Sequence, residues 1–411
     1  MLLGARQVGK TWIMRHFGEQ EYSKVVYVNC DDEPRMKQIF DLDYDIERIL
    51  TTLQAITGQK ATPGDTLIVL DEIQEVPRGL HSLKYFCEKA PEYHVMVAGS
   101  LLGVTLGGGE SFPVGKVDMF YMYPMDYEEF LEATGHGEWV GLLRSHDWPL
   151  VDALLPKLVE LLRQYYYVGG MPGVVGRYVE NRDLKQVRTL QHEILDAYGR
   201  DISKHTSAAE SVRIRQVLAS LPMQLAKESK KFVYGAVRKG SRAKDFELAI
   251  QWLQDAGIIY KVNRIREPRV PIKFYEDFDA FKLFLLDCGL LACMADAPAD
   301  QMLIGDNVFV EFKGAFTEQY VLQQLLAVGL TPYYWSNAKT SAKIDFIVQQ
   351  GSRLVPIEVK AEENVRARSL SQFIKDNPGL KGLRLSMKGY ANQEWMENVP
   401  LVAIDAFFDQ K

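Results

Sequence analysis

The sequence contains few cysteines and no long apolar run. Its 411 residues include only Cys30, Cys87, Cys288 and Cys293, whose spacing provides neither the paired ligands of a zinc site nor the framework of a disulfide-bonded domain. No apolar run approaches the roughly 20 residues that cross a bilayer. The N-terminus lacks a basic segment followed by an apolar one, so we expect no export signal. These absences favour a cytoplasmic protein with free thiols and no membrane partner.

Basic residues are fewer than acidic residues in the whole chain, but they are concentrated in one stretch. The net charge is −6, which argues against general coating of polyanions. Residues 206–262 nevertheless hold ten Lys and Arg against five Asp and Glu, and residues 227–244 hold seven against one. A basic face that meets nucleic-acid phosphates and an ordinary solvated surface both explain this pattern, and the sequence leaves the two open.

The N-terminal residues form a phosphate-binding pattern. The segment GARQVGKT matches GxxxxGK[ST] without a mismatch; it consists of Gly4, Ala5, Arg6, Gln7, Val8, Gly9, Lys10 and Thr11. Glycines let successive backbone N–H groups point at phosphate oxygens, and the helix that follows adds its positive end. Lys10 then reaches the β and γ phosphates, and the Thr11 hydroxyl binds Mg²⁺. The pattern therefore predicts ATP and Mg²⁺ as ligands.

Two carboxylates follow a predicted strand downstream. The run from Thr66 to Leu70 is apolar and bounded by PGD, as expected of a strand buried on both faces of a parallel sheet. Asp71 and Glu72 come next, at the carboxyl end where ligands bind in open α/β sheets. We predict that Asp71 supports the Mg²⁺ and that Glu72 orients and deprotonates the attacking water.

A further strand-like run, YHVMVAGS, ends at Ser100. Two roles fit its hydroxyl: a contact with the γ-phosphate or the attacking water, or a cap on the next turn. We favour the first role, which makes Ser100 part of the catalytic set.

These motifs, in this order, resemble one group of ATPases. The succession GARQVGKT, VLDEIQEVP, VAGSLLG and FPVGKVDMFYMYPMDYEEFL resembles AAA+ ATPases that carry an N-terminal AAA module and a C-terminal DUF4143 region. With YYYVGGMPGVV and FKLFLLDCGLL, the resemblance covers essentially the whole chain. It implies that residues 4–11 are the Walker A loop, that Asp71 and Glu72 are Walker B, and that Ser100 lies at sensor 1.

The chain departs from these similar proteins in two places. They carry some tens of residues ahead of the phosphate loop, including a whole strand, whereas Met1, Leu2 and Leu3 precede it here. Either the start is misassigned or the module is weakened, and we favour a misassigned start. They often have an arginine near GKV, where this chain has Lys116, which lacks the planar fork of arginine. No arginine finger is identified: Arg200 is a candidate, and a salt-bridging arginine at a helix end is the alternative.

The middle of the chain has the apolar spacing of helices. LLPKLVELLRQYYYVGG and LKQVRTLQHEILDAYGRDI predict two helices. FELAIQWLQDAGIIYKV predicts a helix that stops at Gly257 and a strand after it. This succession is typical of a winged-helix module, and the family resemblance agrees; such modules bind DNA or serve as protein interfaces.

Two carboxylates and a lysine lie on predicted strands near the C-terminus. The predicted order is helix FTEQYVLQQLLAVG, strands TPYYWSNA, KIDFIVQQ and RLVPIEVKA, helix SLSQFIKDN, and strands LRLSMK and PLVAIDAFF. Asp345 lies on the second strand, and Glu358 and Lys360 share one face of the third. Such a set can hold a divalent metal and activate water against a phosphodiester. The spacing resembles the PD-(D/E)XK nuclease fold, with Glu318 as a further metal ligand and Gln372 as an extra residue.

The resemblance to nucleases is partial. Ile344 stands where the signature has a proline before the aspartate. Residues 301–411 carry twelve basic and twelve acidic side chains, so this segment creates no strong field for nucleic acid. An ion pair between Glu358 and Lys360 on an exposed strand face is the structural alternative. The sequence leaves nuclease activity open.

These observations predict an α/β protein of four parts. The parts are a P-loop AAA-type parallel-sheet domain at 1–130, a helical lid or linker at 131–205, a winged-helix-like domain at 206–300 and a nuclease-like domain at 301–411. We expect an Mg-dependent ATPase whose nucleotide state regulates a C-terminal module that meets DNA. The alternative is an ATP-bound regulatory switch that recruits a protein partner and has no nuclease activity.

Overall fold

The computed structural model divides the chain into two compact units. It describes residues 1–101, 103–104, 115–227, 229–304, 310–337, 342–361 and 368–409. The first unit comprises Met1–Met122 and Gln251–Ile258, and the second comprises Tyr123–Ile250 and Ile259–Lys411. Within the described residues, no helix combines the length and the apolar character needed to cross a membrane.

A parallel sheet with helices on its faces forms the first unit. The strands are β1 (Leu2–Leu3), β2 (Lys24–Asn29), β3 (Thr66–Asp71), β4 (His94–Val97) and β5 (Phe120–Tyr121), and the helices are α1 (Lys10–Glu21), α2 (Pro34–Leu42), α3 (Ile46–Thr57) and α4 (Pro77–Lys89). β3 pairs with β2 and β4, β1 pairs with β5, and a bridge from Leu2 to Ala98 joins β1 to the residue after β4. These neighbours give the strand order β2-β3-β4-β1-β5, and every one of the pairings is parallel.

The central strand β3 is buried on both faces. Ile68 packs in one apolar cluster with Phe40 of α2, and Leu67 packs in another with Met14 of α1. Successive strand residues point to opposite faces of a sheet, so helices cover both sides. The prediction of a doubly buried strand after Thr66 is confirmed.

The second unit combines helices with a large mixed sheet. Its helices are α5 (Tyr127–Ala133), α6 (Gly137–Ser145), α7 (Trp148–Val168), α8 (Pro172–Asn181), α9 (Leu184–His205), α10 (Ala208–Leu225), α11 (Tyr234–Val237), α12 (Ala243–Asp255, whose last turn belongs to the first unit), α13 (Cys288–Met294), α14 (Ala299–Ile304), α15 (Val310–Ala327), α16 (Arg368–Asp376) and α17 (Ile404–Phe408). Its strands are β6 (Ile259–Ile265), β7 (Glu276–Leu285), β8 (Tyr333–Ser336), β9 (Lys343–Gln350), β10 (Arg353–Lys360), β11 (Gly382–Ser386), β12 (Ala391–Asn392) and β13 (Met396–Pro400).

One sheet runs through most of this unit. Its eight strands follow the order β12-β13-β11-β10-β9-β8-β6-β7. β6 and β7 form an antiparallel pair, and a parallel bridge from Arg264 to Tyr334 joins β6 to β8. The sheet therefore crosses the domain boundary predicted at residues 300 and 301. The predicted lid, winged-helix-like and nuclease-like segments all lie largely in one compact unit.

Most predicted elements of this unit are present, with one error at the C-terminal end. The two predicted middle helices are α7 and α9, and the three strands after α15 are β8, β9 and β10. The strand predicted for PLVAIDAFF is wrong, because β13 ends at Pro400 and Ile404–Phe408 is helical. Residues 401–406 are buried throughout, and a short, fully buried apolar run has no periodicity that separates helix from strand.

Two glycine-containing segments of the second unit pack against each other. A Cβ at Gly170 would lie 2.0 Å from the carbonyl oxygen of Met125, and a Cβ at Gly289, in the first turn of α13, would lie 2.5 Å from that of Val168. Asp287 links the two segments, because its Oδ2 accepts a hydrogen bond from the Gly170 N–H across 2.7 Å. The segments YYYVGG and LLDCGLL therefore each supply a glycine that a neighbouring backbone approaches.

Candidate functional site

The phosphate-binding pattern forms a tight loop between β1 and α1. Gly4 and Gly9 have φ angles of +142° and +96°, which side chains with a Cβ rarely adopt. A Cβ at Gly4 would also lie 2.4 Å from the carbonyl oxygen of Met122. Gln7 shares the left-handed backbone, with φ of 68°. The loop therefore turns sharply before α1, whose first N–H groups have no partner within the helix and suit an anion.

The remaining loop side chains divide between the interior and the surface. Ala5 and Val8 are buried in the core of the unit, whereas Arg6 and Gln7 are exposed. Ala5 and Val8 anchor the loop in the core. We therefore expect the loop to contact phosphate through its backbone N–H groups and through Lys10.

Lys10 lies buried against its own loop. Its residue is 6% exposed, and its Nζ donates hydrogen bonds to the carbonyl oxygens of Gly4 (2.9 Å) and Ala5 (2.6 Å). Burial lowers the pKa of Lys10 to about 8, while the carboxylates of Glu72 and Asp71 oppose that shift. A phosphate that entered the loop would add negative charge beside this ammonium and favour its protonated form.

Thr11 and Asp71 meet directly at the carboxyl end of the sheet. The Thr11 hydroxyl donates a hydrogen bond to Asp71 Oδ2 across 2.5 Å, and the Tyr27 hydroxyl donates to the same oxygen across 3.1 Å. Asp71 is 3% exposed. Hydroxyl and carboxylate oxygens are ligands that Mg²⁺ accepts beside substrate phosphates. The pair fits the metal that the loop motif implies, and Thr11 and Asp71 are the residues that would hold it.

Glu72 is held by a network of hydrogen bonds that includes Ser100. Its Oε2 accepts bonds from the Ser100 N–H (3.2 Å), the Ser100 hydroxyl (3.0 Å) and the Gln74 side-chain amide (2.6 Å). Burial acts to raise the pKa of Glu72, but the bonds from Gln74 and Ser100 and the charge of Lys10 lower it below its usual value. Ser100 therefore lies beside the carboxylate that the sequence predicts to act on water.

Two members of this site were not predicted from the sequence. Gln74 follows Glu72 by two residues, and Tyr27 lies on β2 opposite Val69 in the paired strands. The pairing of β2 with β3 brings Tyr27 to Asp71, and no motif marks that pairing. Gln74 falls inside the quoted segment VLDEIQEVP, so its position was visible although its role was not.

The predicted C-terminal residues also come together, in the second unit. Asp345 Oδ2 accepts a hydrogen bond from the Val359 N–H across 3.0 Å, and Lys360 Nζ lies 3.0 Å from Glu358 Oε1. Asp345 Oδ1 and Glu358 Oε2 are buried and receive no hydrogen bond from any described residue. Burial raises the pKa of both carboxyl groups; Glu318 adds to the effect on Asp345, and Lys360 opposes that on Glu358.

Two lysines that the sequence analysis did not single out engage Glu318. Lys230 Nζ lies 2.5 Å from Glu318 Oε1, and Lys282 Nζ lies 3.1 Å from Glu318 Oε2. Burial acts to raise the pKa of Glu318, yet the two ammonium groups hold it well below its usual value. Lys282 was visible as the one charge in the apolar run FKLFLL, whereas Lys230 was one of seven basic residues in its segment.

The predicted set of three metal ligands is not assembled as such. Across the described parts of the chain, no group of three or more His, Cys, Asp or Glu side chains is placed to hold a metal ion. Glu318 is occupied by its lysines instead. Gln372 on α16 is exposed and donates a hydrogen bond to Asp376 across 2.8 Å.

Comparisons with known proteins divide the chain into three matched segments. Residues 1–131 match the model of an AAA domain, AAA_14. Residues 159–301 match a domain of unknown function, DUF8612, and residues 313–407 match another, DUF4143. No curated protein matches the chain.

Solved structures with detectable similarity are distant. The Walker-type ATPase paby2304 of Pyrococcus abyssi is 16% identical, with a TM-score of 0.42 over 72% of this chain and 90% of that one. Protein VC1899 from Vibrio cholerae is 9% identical, with a TM-score of 0.19 over 91% and 79% of the two chains. The chain therefore contains an AAA domain at its N-terminal end and a DUF4143 domain at its C-terminal end, with the DUF8612 segment between them.

Proposed function

We propose that the chain hydrolyses ATP with Mg²⁺ at the loop between β1 and α1. The observation that supports this proposal is the hydrogen bond between Thr11 and Asp71, the two proposed metal ligands, together with the electrostatic effect of Asp71 on Lys10. Backbone N–H groups of the loop would bind the β-phosphate, and the Lys10 ammonium would bind the β and γ phosphates. Bound Mg²⁺ would neutralise charge on the phosphates during transfer.

Glu72 is the proposed general base. Its pKa lies below the usual value, so it is ionised at neutral pH and can accept a proton from water. The bonds from Ser100 and Gln74 fix the carboxylate in one orientation. In this scheme Ser100 positions Glu72 through the hydrogen bonds from its backbone N–H and its hydroxyl.

Mg²⁺-dependent ATP hydrolysis by the full chain, with and without DNA, tests this proposal. We expect phosphate release that falls by about 10²–10⁴-fold in Glu72→Gln, in the range of a lost general base. Nucleotide binding should survive in Glu72→Gln and be lost in Lys10→Ala. Hydrolysis that Glu72→Gln leaves unchanged would contradict the assignment.

We further propose that nucleotide state regulates a DNA-binding module in the second unit. Lys231, Arg238, Lys239, Arg242 and Lys244 are exposed. These residues lie between the end of α10 and the first turn of α12. The succession of α10, α11, α12 and the β6-β7 hairpin is the order of elements in a winged helix. Positive charge of this density supports binding to nucleic-acid phosphates.

The competing function is a switch that retains ATP and recruits a protein partner. Stimulation of ATP hydrolysis by DNA, lost when Arg238, Lys239 and Arg242 are replaced by Gln, supports the DNA-coupled function. Tight nucleotide retention without a response to DNA supports the switch. Lys388→Gln, a lysine elsewhere in the second unit, is the matched control for removing charge.

A further inference from the structure

The nuclease-like residues belong to a cluster with more positive than negative side chains. We call it the lysine–carboxylate cluster; it comprises Lys230, Lys282, Glu318, Lys343, Asp345, Glu358 and Lys360. Four ammonium groups face three carboxylates, and the charge of Arg384 also acts on Glu358. A divalent cation added to this set would meet net positive charge, which disfavours its entry.

Glu318, the further ligand of the predicted metal set, is already paired with a lysine on both oxygens. Lys230 contacts Glu318 Oε1 at 2.5 Å, and Lys282 contacts Glu318 Oε2 at 3.1 Å. Glu318 is 4% exposed, so these bonds are shielded from competing water. Its release toward a metal would leave two buried ammonium groups unpaired, which costs several times the energy of an exposed ion pair.

Lys282 is built into the core at this point. It is 2% exposed, and its Nζ also donates to the backbone carbonyl of Asp345 across 3.3 Å. The same ammonium lies 5.0 Å from the ring centre of Tyr334 and 5.5 Å from that of Phe346. Aromatic faces stabilise a desolvated cation. A lysine held by a carboxylate, a carbonyl and two rings is a fixed component of the cluster.

The remaining oxygens do not restore a metal site. Asp345 Oδ1 and Glu358 Oε2 lack hydrogen bonds from described residues. They provide only two oxygen ligands, one from each carboxylate, which is fewer than a divalent cation prefers. Lys343 Nζ lies 3.9 Å from Asp345 Oδ1, and Lys360 Nζ lies 3.0 Å from Glu358 Oε1. Each of these carboxylates therefore already has a lysine of its own.

We propose that Lys282 and Lys230 supply the positive charge that a metal ion would otherwise supply in this cluster. The C-terminal domain consequently does not cleave phosphodiesters by metal catalysis. The lysines come from β7 and from the segment after α10, whereas the carboxylates come from α15, β9 and β10. The cluster thus joins the β6-β7 hairpin and the segment after α10 to the nuclease-like core. This proposal goes beyond the ATPase function and does not depend on it.

The first test is Mn²⁺ binding and DNA cleavage by the full chain without nucleotide. Mn²⁺ titration followed by electron paramagnetic resonance should give the same stoichiometry for the natural chain and for Asp345→Asn, since any ion at Thr11 and Asp71 is common to both. Supercoiled and single-stranded DNA should stay intact in Mg²⁺ or Mn²⁺. A bound Mn²⁺ that Asp345→Asn removes, or cleavage that Asp345→Asn or Glu318→Gln abolishes, overturns the proposal.

The second test measures the coupling between Glu318 and Lys282 by thermal unfolding. Glu318→Gln and Lys282→Met should each lower the melting temperature, and the double variant should lose clearly less than the sum of the two single losses. Lys273→Met is the matched control: this lysine is exposed and lies between β6 and β7. It should not couple with Glu318→Gln. Additive losses contradict the proposal; if a variant does not fold, the Mn²⁺ and cleavage comparison with Asp345→Asn still decides it. None of these measurements uses ATP, so an inactive ATPase would leave their outcome unchanged.

Discussion

The hydroxyl of Thr11 lies 2.5 Å from Asp71 Oδ2, which joins the start of α1 to the end of β3. Thr11→Val keeps the branched shape and removes the hydroxyl. Because the variant lacks one of the two side chains proposed to hold Mg²⁺, we expect Mg²⁺-dependent ATP affinity to fall by about tenfold or more. Titration with a fluorescent nucleotide measures this, with Thr11→Ser as the control that keeps the hydroxyl. Equal affinity of Thr11→Val with and without Mg²⁺ is expected, whereas an unchanged Mg²⁺ response would contradict the assignment.

Ser100→Ala should slow hydrolysis with little effect on binding. The change removes the 3.0 Å bond from the Ser100 hydroxyl to Glu72 but leaves the bond from the Ser100 backbone N–H. With one charged hydrogen bond lost, kcat should fall by about tenfold while KM stays nearly constant. Steady-state kinetics provide the measurement. A variant with a raised KM and an unchanged kcat would show that Ser100 contacts ATP in the ground state and does not position Glu72.

ATP affinity should fall as pH rises through about 8. Burial holds the pKa of Lys10 at about 8 in the free protein, below its ordinary value, so the ammonium loses its proton above that pH. Bound phosphates favour the charged form, and binding above pH 8 therefore takes up as much as one proton. Each pH unit in that range should cost about tenfold in affinity. Calorimetry at pH 9 in buffers of different ionisation enthalpy measures the uptake.

The control for this pH effect is Lys10→Arg. Its guanidinium stays charged across the range, so proton uptake should vanish whatever the affinity of the variant. Constant affinity of the natural chain from pH 7 to pH 9.5 would mean that Lys10 keeps its proton in the free protein.

Gly170→Ala should destabilise the second unit severely. The new Cβ would lie 2.0 Å from the Met125 carbonyl oxygen, and backbone on both sides prevents relief. We expect the free energy of unfolding to fall by about 3 kcal/mol or more, measured by urea unfolding. Gly176→Ala is the matched control: it lies in α8 with open space around its Cβ. That change should raise the free energy by about 0.4–1 kcal/mol, through helix propensity and loss of unfolded-chain entropy.

Much of the first unit could be predicted from local sequence patterns. The loop at residues 4–11 and the carboxylates after β3 follow from the spacing of glycine, lysine and apolar residues, and each depends on neighbours close in sequence. The contact of Thr11 with Asp71 follows once the parallel sheet is assumed. Tyr27 could not be anticipated, because its position depends on which strand lies beside β3.

The C-terminal cluster shows where sequence patterns lose information. The spacing of Asp345, Glu358 and Lys360 was readable from two strands. Lys282 and Lys230 reach Glu318 over 36 and 88 residues of chain, and no local pattern encodes such a contact. The sequence therefore indicated the carboxylates but not the two lysines that contact Glu318.

The position of β1 inside its sheet has a consequence for how the protein is made. Leu2 and Leu3 pair with Phe120 and Tyr121, and Leu2 also bridges to Ala98. On the ribosome these leucines emerge before either neighbour exists, and their strand completes its pairings only when the chain has grown past Ala98 and then past Tyr121. Closing a loop of that length carries an entropic cost that local contacts do not repay. The loop at residues 4–11 follows β1 directly, so its final position depends on pairings with segments that are translated much later.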